Sequence, residues 1–314
     1  MSSANRRIDS TLNHLNNFRY TLPESSDLLS LEQRQQYEKD GFIIVKGLIS
    51  QSEMDSYRKR FIDICDGKVI PEKTMLVMKD LATRKNKDIK GELKLAKLQD
   101  FQDDPVLFEY CKHPKLLEYV KCFTGPNVKS MHTMFINKPP NVGVSSTHPM
   151  HQDLHYFPFR PADRIVCAWT AIDKTFIENG CLFVVPGSHR ADELLSHGYH
   201  EWEGKVNPMY HELKGAAKGN DKKFFAEMDA GDTIFFHPLL HHGSGPNTTK
   251  GFRKCISTHF ASANCHYIDV KGTIQENIAK EVEEIAKRRF GDAVPFDFIW
   301  KVRSRLVAGE DGTL

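Results

Sequence analysis

The chain has 314 residues, 40% of them hydrophobic, and carries Lys+Arg 43 against Asp+Glu 41 for a net charge of +2. That balance lacks the basic asymmetry of a nucleic-acid-binding domain, and no apolar run approaches the roughly 18 residues that a membrane-spanning helix needs. Seven cysteines, Cys65, Cys111, Cys122, Cys167, Cys181, Cys255 and Cys265, are odd in number, scattered and free of any C-x-x-C pair; this speaks against a zinc ribbon or a disulfide framework and for a reducing compartment.

The expected organisation is a tail over residues 1–26 and one domain over 27–314, with a helical N-terminal part, an insertion near 190–228 and a C-terminal helix. The tail lacks the apolar stretch of a secretory signal. Arg7-Ile8, five intervening residues and His14-Leu15 resemble an amino-terminal peroxisomal targeting nonapeptide, with Ile8, Leu12 and Leu15 spaced to share one helix face. A frayed tail, or a mitochondrial-like presequence built on Arg6, Arg7, Arg19 and the early serines, fits the same stretch. The C-terminal Asp311-Gly312-Thr313-Leu314 is not a tripeptide peroxisomal address.

Leu31 to Lys39 predicts a short polar helix stopped by Asp40-Gly41, and Phe42 to Val45 a compact strand. Ser50-Gln51-Ser52-Glu53 is a capping box opening a helix with Met54, Tyr57, Phe61 and Ile64 on one side. Residues 71–94, lysine-rich and weakly patterned, read as a surface excursion. Val106 to Phe123 reads as helix interrupted near Pro114 and stopped at Gly125.

From about residue 128 the texture changes to short β-branched and aromatic runs separated by Gly, Pro and Asn. Ser130 to Asn137, Met150 to Tyr156, Ile165 to Ile172, Cys181 to Val185, Thr233 to Phe236 and Lys254 to Phe260 are the candidate strands. Closely spaced strands without intervening helical patterns point to a mainly β protein with flanking helices, an antiparallel sandwich or jelly roll. The polar stretch 190–228, rich in His and Lys, reads as a long insertion or lid. Thr273-Ile274-Gln275-Glu276 caps a final helix ending near Gly291.

The chemistry concentrates in four residues. In a strand, positions i and i+2 face the same way, so His151 and Asp153 project together and can grip one metal ion. The Gly243-Ser244-Gly245-Pro246-Asn247 stretch separates two β-type runs and reads as a hairpin turn. With the turn centred between Asn247 and Thr248, His242 faces Arg253, and Ser244 lies on the same side. Two imidazoles and a carboxylate are the ligand set of non-haem Fe(II) oxygenases, which leave positions open for oxygen chemistry. The arginine behind them implies an anionic co-substrate. His148, His155, His237 and His241 lie near the candidate ligands, and spacing does not exclude His155. His237, before Pro238, is expected to face a lid or a backbone carbonyl; His241 points away from His242 and is read as structural, and Trp169 as core.

These residues carry a resemblance. His151-Gln152-Asp153-Leu154-His155-Tyr156-Phe157-Pro158-Phe159-Arg160-Pro161, Val166-Cys167-Ala168-Trp169-Thr170-Ala171, Gly180-Cys181-Leu182, Phe235-Phe236-His237-Pro238-Leu239-Leu240 and His242-Gly243-Ser244-Gly245 resemble the phytanoyl-CoA 2-hydroxylase family. Those are Fe(II)- and 2-oxoglutarate-dependent dioxygenases of peroxisomal fatty-acid α-oxidation, with a double-stranded β-helix fold. The resemblance implies that His151, Asp153 and His242 hold iron and that Arg253 and Ser244 hold the far carboxylate of 2-oxoglutarate. It implies that Lys97, Met134, Gln152 and Trp169 line the co-substrate site, with His132 and His155 behind the ligands or on the substrate side. It departs from the family pattern at His241 and in a shortened Asn141 to Ser145 loop. No catalytic residue separate from the iron site is implied. The implied partners are Fe(II), 2-oxoglutarate, O2, ascorbate as reductant, a branched-chain acyl-CoA and a peroxisomal import receptor; a cytoplasmic location is the alternative. The same chemistry on a free fatty acid or small metabolite, or a non-catalytic jelly-roll binder, are the rival readings.

Overall fold

A computed structural model describes residues 18–80, 83, 86, 88–140, 146–202, 205–215 and 222–314. The Arg7 to Leu15 nonapeptide and the Asn141 to Ser145 loop lie outside the described residues.

The chain opens with helices α1 (Leu31–Asp40) and α2 (Gln51–Cys65), which flank β1 (Phe42–Val45). Strands β2 (Leu76–Lys79) and β3 (Leu95–Gln99) follow, then α3 (Glu109–Lys112) and α4 (Pro114–Thr124). Next come β4 (Val128–Lys138), β5 (His148–His151), β6 (Phe159–Arg160), β7 (Ile165–Ala171) and β8 (Leu182–Val184). The hairpin β9 (His197–Trp202) and β10 (Lys205–Leu213) precedes β11 (Phe224–Ala226), β12 (Thr233–Phe236), β13 (His242–Ser244), β14 (Arg253–Ser262) and β15 (His266–Tyr267). The chain ends in α5 (Glu276–Phe290), α6 (Phe296–Arg303) and β16 (Arg305–Ala308).

The local signals explain the helices. Ser50 accepts from the Glu53 amide while the Glu53 carboxylate accepts from the Ser50 amide, closing the capping box at the head of α2. Met54, Tyr57, Phe61 and Ile64 are its buried face. Pro114 opens α4, where its missing N–H costs nothing, so the interrupted helix is two helices. The last long helix starts later than its capping pattern predicts: Gln275 is the N-cap of α5, and Thr273 instead accepts from the Gln275 amide in the preceding turn.

The strands form two principal antiparallel sheets. The larger runs β1-β12-β7-β14-β4-β3-β2, with β16 also on β4; the smaller runs β11-β8-β13-β5. Period-two alternation gives the larger sheet two apolar faces. Val166, Ala168, Phe235, Ile256 and Phe260 turn outward to join a core with α2 and α4, where Phe61 stacks on Phe135 with ring centroids 4.6 Å apart. Cys167, Trp169, Ala171, Ile234, Phe236 and Cys255 turn inward and share a core with Leu182 and Val184 of the smaller sheet. These facing sheets with helices outside them form a jelly roll.

Three expectations are corrected. The run Met150 to Tyr156 is not one strand: β5 stops at His151, and Asp153–Tyr156 is a 3-10 turn. The segment around Gly243 to Asn247 does not close a hairpin, because β13 pairs with β5 and β8 whereas β14 pairs with β4 and β7, in different sheets. It is a crossover between sheets, and Arg253 lies opposite Lys138, not His242. The stretch 190–228 is not wholly an insertion, since β11 pairs with β8 as an edge of the smaller sheet.

Candidate metal centre

The inward faces of the two sheets enclose a cavity, and the candidate ligands meet in its wall. His151 ends β5 and His242 begins β13, and the two are cross-strand partners. Asp153 follows two residues later, at the start of the 3-10 turn. Asp153 Oδ1 lies 3.3 Å from His151 Nε2 and 3.5 Å from His242 Nε2, and one ligating atom from each of the three falls within 4.8 Å of the others. Both imidazoles are oriented from behind: Nδ1–H of His151 donates to the Pro149 carbonyl and that of His242 to the Leu240 carbonyl, each at 2.9 Å. That fixes the proton on Nδ1 and leaves Nε2 free to ligate.

Gly243 makes this approach possible. A Cβ there would lie 2.7 Å from the Phe183 ring and 2.8 Å from the His148 carbonyl, so the two ligand-bearing strands could not close on each other around a larger residue.

Burial and mutual charge shape the cluster. Burial lowers the His151 pKa, as does His242 beside it. For His242 burial is the largest influence and acts the same way, but the Asp153 carboxylate and the Leu240 carbonyl together outweigh it and the net direction is upward. Burial works against ionised Asp153 too, yet His259, His242 and His151 hold its pKa well below the usual carboxylate range. The carboxylate is therefore ionised and ready to bind a cation.

A second pole of the cavity is cationic. Arg253 is 1% exposed. Its guanidinium donates to the Gly180 carbonyl and, at 3.3 Å, to Cys255 Sγ, and lies 5.6 Å from the Trp169 ring centroid. Among the described residues its Nε has no hydrogen-bond partner and no carboxylate pairs with it. Lys138 Nζ donates to Ser244 Oγ at 2.8 Å and to the Gly245 carbonyl; burial first and Arg253 second push its pKa well below the ordinary lysine value. Lys97, on β3, faces the same cavity beside Met134 and 5.2 Å from the Tyr210 ring centroid. Cations gathered out of water with a spare donor fit a carboxylate-bearing ligand.

The cavity is lined by Lys97, Met134, His151, Asp153, Trp169, His242, Ser244 and Arg253, all singled out from the sequence. Gln152 is the exception. Its side chain is buried in the scaffold, donating to the Leu239 and Glu193 carbonyls and accepting from the Leu195 amide. His132 reaches the cavity between the edges of Phe157 and Trp300. His155 does not join the ligands, because the turn after His151 breaks the alternation that would have aligned it. It stacks on His197 and meets His211 Nδ1 at 3.0 Å, and His211 in turn meets Glu281 Oε2 at 2.9 Å. His237 stands 3.5 Å from Asp163, whose carboxylate, more than a backbone carbonyl, is its partner.

Sequence reasoning missed Lys138, Tyr210 and His259. His259 Nε2 lies 2.8 Å from Asp153 Oδ2. It stands six residues beyond Arg253 on the same strand and hence on the same face, a signal that the alternation carried.

Comparison with known proteins fits this geometry. Residues 37–255 match the family model described as Phytanoyl-CoA dioxygenase (PhyH). The chain is 51% identical over 306 residues to "Phytanoyl-CoA dioxygenase, peroxisomal" of Homo sapiens, covering 96% of this chain and 89% of that protein. It is 50% identical over 300 residues to "Probable phytanoyl-CoA dioxygenase" of Caenorhabditis elegans, covering 91% and 96%. Among solved structures, EvdO2 from Micromonospora carbonacea complexed with 2-oxoglutarate superposes with a TM-score of 0.56 at 19% identity, over 76% of this chain and 93% of that one. The epimerase SnoN in complex with Fe3+, alpha ketoglutarate and nogalamycin RO gives 0.55 at 19%, over 76% and 85%; at such identity these likenesses establish the fold. The chain belongs to the phytanoyl-CoA dioxygenase family.

Proposed function

We propose that this protein is an Fe(II)- and 2-oxoglutarate-dependent dioxygenase that hydroxylates C2 of a 3-methyl-branched acyl-CoA such as phytanoyl-CoA. One observation carries the reading: a two-histidine, one-carboxylate cluster and a buried guanidinium with no carboxylate partner among the described residues share one cavity. A 2-oxo diacid needs both, a metal for one end and a fork of N–H donors for the other. The names of its relatives support the substrate.

His151, Asp153 and His242 would hold the iron, which when bound supplies oxygen activation coupled to oxidative decarboxylation of 2-oxoglutarate. The overall balance is acyl-CoA, 2-oxoglutarate and O2 to 2-hydroxyacyl-CoA, succinate and CO2. Arg253 pairs with the far carboxylate, Ser244 adds a hydroxyl at the same pole, held by a hydrogen bond from Lys138, and Lys97 adds an amine to the cavity wall. Trp169 and Met134 wall the co-substrate and exclude water. Ascorbate serves as reductant for iron lost to the ferric state. The catalytic unit spans residues 27–314, and the peroxisome is its location, supported by the relatives' names.

The test is succinate release by Fe(II)-loaded protein with and without phytanoyl-CoA. Stimulation by the thioester is expected; turnover indifferent to it would refute the substrate while leaving the iron chemistry. Deleting residues 1–15 should release a tagged protein from peroxisomes, and unchanged import would reject the nonapeptide.

A further inference from the structure

We propose that His259 is a positioning residue that holds Asp153 as a one-oxygen ligand and so keeps three coordination positions open. The inference rests on the reading of His151, Asp153 and His242 as iron ligands. The two oxygens of Asp153 have different surroundings. Oδ1 faces both ligand imidazoles, at 3.3 and 3.5 Å, whereas Oδ2 is met by His259 Nε2 at 2.8 Å. His259 Nδ1 has no hydrogen-bond partner among the described residues; toward a carboxylate Nε2 must be the donor, so the ring carries its proton there.

The ring cannot easily turn away. His259 is 2% exposed, in the middle of β14, paired to His132 on β4 and to Cys167 on β7. Its face stacks on His132, with centroids 5.5 Å apart and planes at 21°, and it meets the Phe157 ring at 4.9 Å and 66°. This rigid donor engages the oxygen that a chelating carboxylate would need.

Coordination arithmetic gives the contact its consequence. With iron bound, three single-atom protein ligands would leave room for the 2-oxo acid and O2, whereas an Asp153 binding through both oxygens would take up one of those places. A charge-assisted hydrogen bond to Oδ2 opposes that alternative. Asp153, Cys167 and His259 also bring ligating atoms within 4.8 Å of one another; a metal held there would be bound by a thiolate, which has its own charge-transfer band.

The experiment titrates Co(II) into metal-free full-length protein, with and without 2-oxoglutarate, following d–d absorption. Wild type is compared with His259→Leu and His259→Gln, with thermal melts run in parallel. Leucine should weaken Co(II) binding roughly ten- to a hundredfold and alter the d–d band. Glutamine, whose amide can still donate to Oδ2, should restore both. Leucine matching wild type in affinity and spectrum, or glutamine performing no better than leucine, overturns the proposal, as does a Co(II)–thiolate charge-transfer band in wild type. If the leucine variant does not fold, His259→Gln against the shorter His259→Asn gives the same comparison: equal behaviour overturns it. Wild type that binds no Co(II) refutes the metal site itself, a distinct result.

Discussion

Arg253→Met removes a charge that is 1% exposed and has no carboxylate partner among the described residues, and so produces two effects of opposite sign. Among the described residues this buried cation is held by the Gly180 carbonyl, Cys255 Sγ and the Trp169 face. Replacing it with an apolar chain of similar length should leave stability unchanged or raise it, because the desolvation of an unpaired charge is no longer borne. Binding of 2-oxoglutarate should suffer. Loss of one partner of a buried, hydrogen-bonded charge pair costs about 2–5 kcal/mol, roughly thirtyfold to several thousandfold in affinity. Arg253→Lys keeps the charge but not the fork, and on the order of tenfold is expected. The assay pairs calorimetric 2-oxoglutarate titration of metal-loaded protein with melts at a hundredfold excess over the wild-type Kd. That excess should stabilise wild type by about 2.7 kcal/mol and the methionine variant hardly at all. An Arg253→Met protein that loses several kcal/mol of stability yet binds 2-oxoglutarate like wild type would refute the reasoning, since Arg253 would then be a structural cation.

His242→Ala should abolish iron binding measured by equilibrium dialysis, whereas His241→Ala should retain it, since of these two neighbours it is His242 that directs Nε2 at Asp153. His189 is buried between Tyr20 and His237, and burial first, then His237, lower its pKa to about 3. The unfolded chain takes up this proton near 6.5 and the folded protein does not, so stability is lost as pH falls from there toward the folded value. By pH 5 the loss is about 2 kcal/mol, and His189→Phe should flatten that part of the pH profile in urea melts. The His211–Glu281 contact pins the β9–β10 hairpin to α5. A double-mutant cycle with His211→Leu and Glu281→Gln should return a coupling of about 0.5–3 kcal/mol, and strict additivity would show that the contact contributes nothing.

What could be read from the sequence was set by the range of the interactions. The capping box at Ser50, the apolar face of α2 and the strand at Thr233 to Phe236 depend on neighbours a few residues away, and they stand where the pattern placed them. The sheet assignment of β13 and β14 does not. Gly, Pro and Asn between two β-type runs signal a reversal of the chain but not whether the second run returns beside the first or crosses to the facing sheet; here it crosses. Lys138 was illegible for the same reason: it meets Ser244 and opposes Arg253 only through pairings more than a hundred residues apart in sequence. Yet the mistaken hairpin still gathered His242, Ser244 and Arg253 into one cavity. Alternation is a property of a strand whatever its partner, and in a jelly roll the inward faces of both sheets look into the same space. Carried along β14 from Arg253, that argument also reaches His259. What the sequence left open there was which carboxylate the imidazole would meet, because Asp153 sits in a turn whose geometry period-two reasoning does not describe.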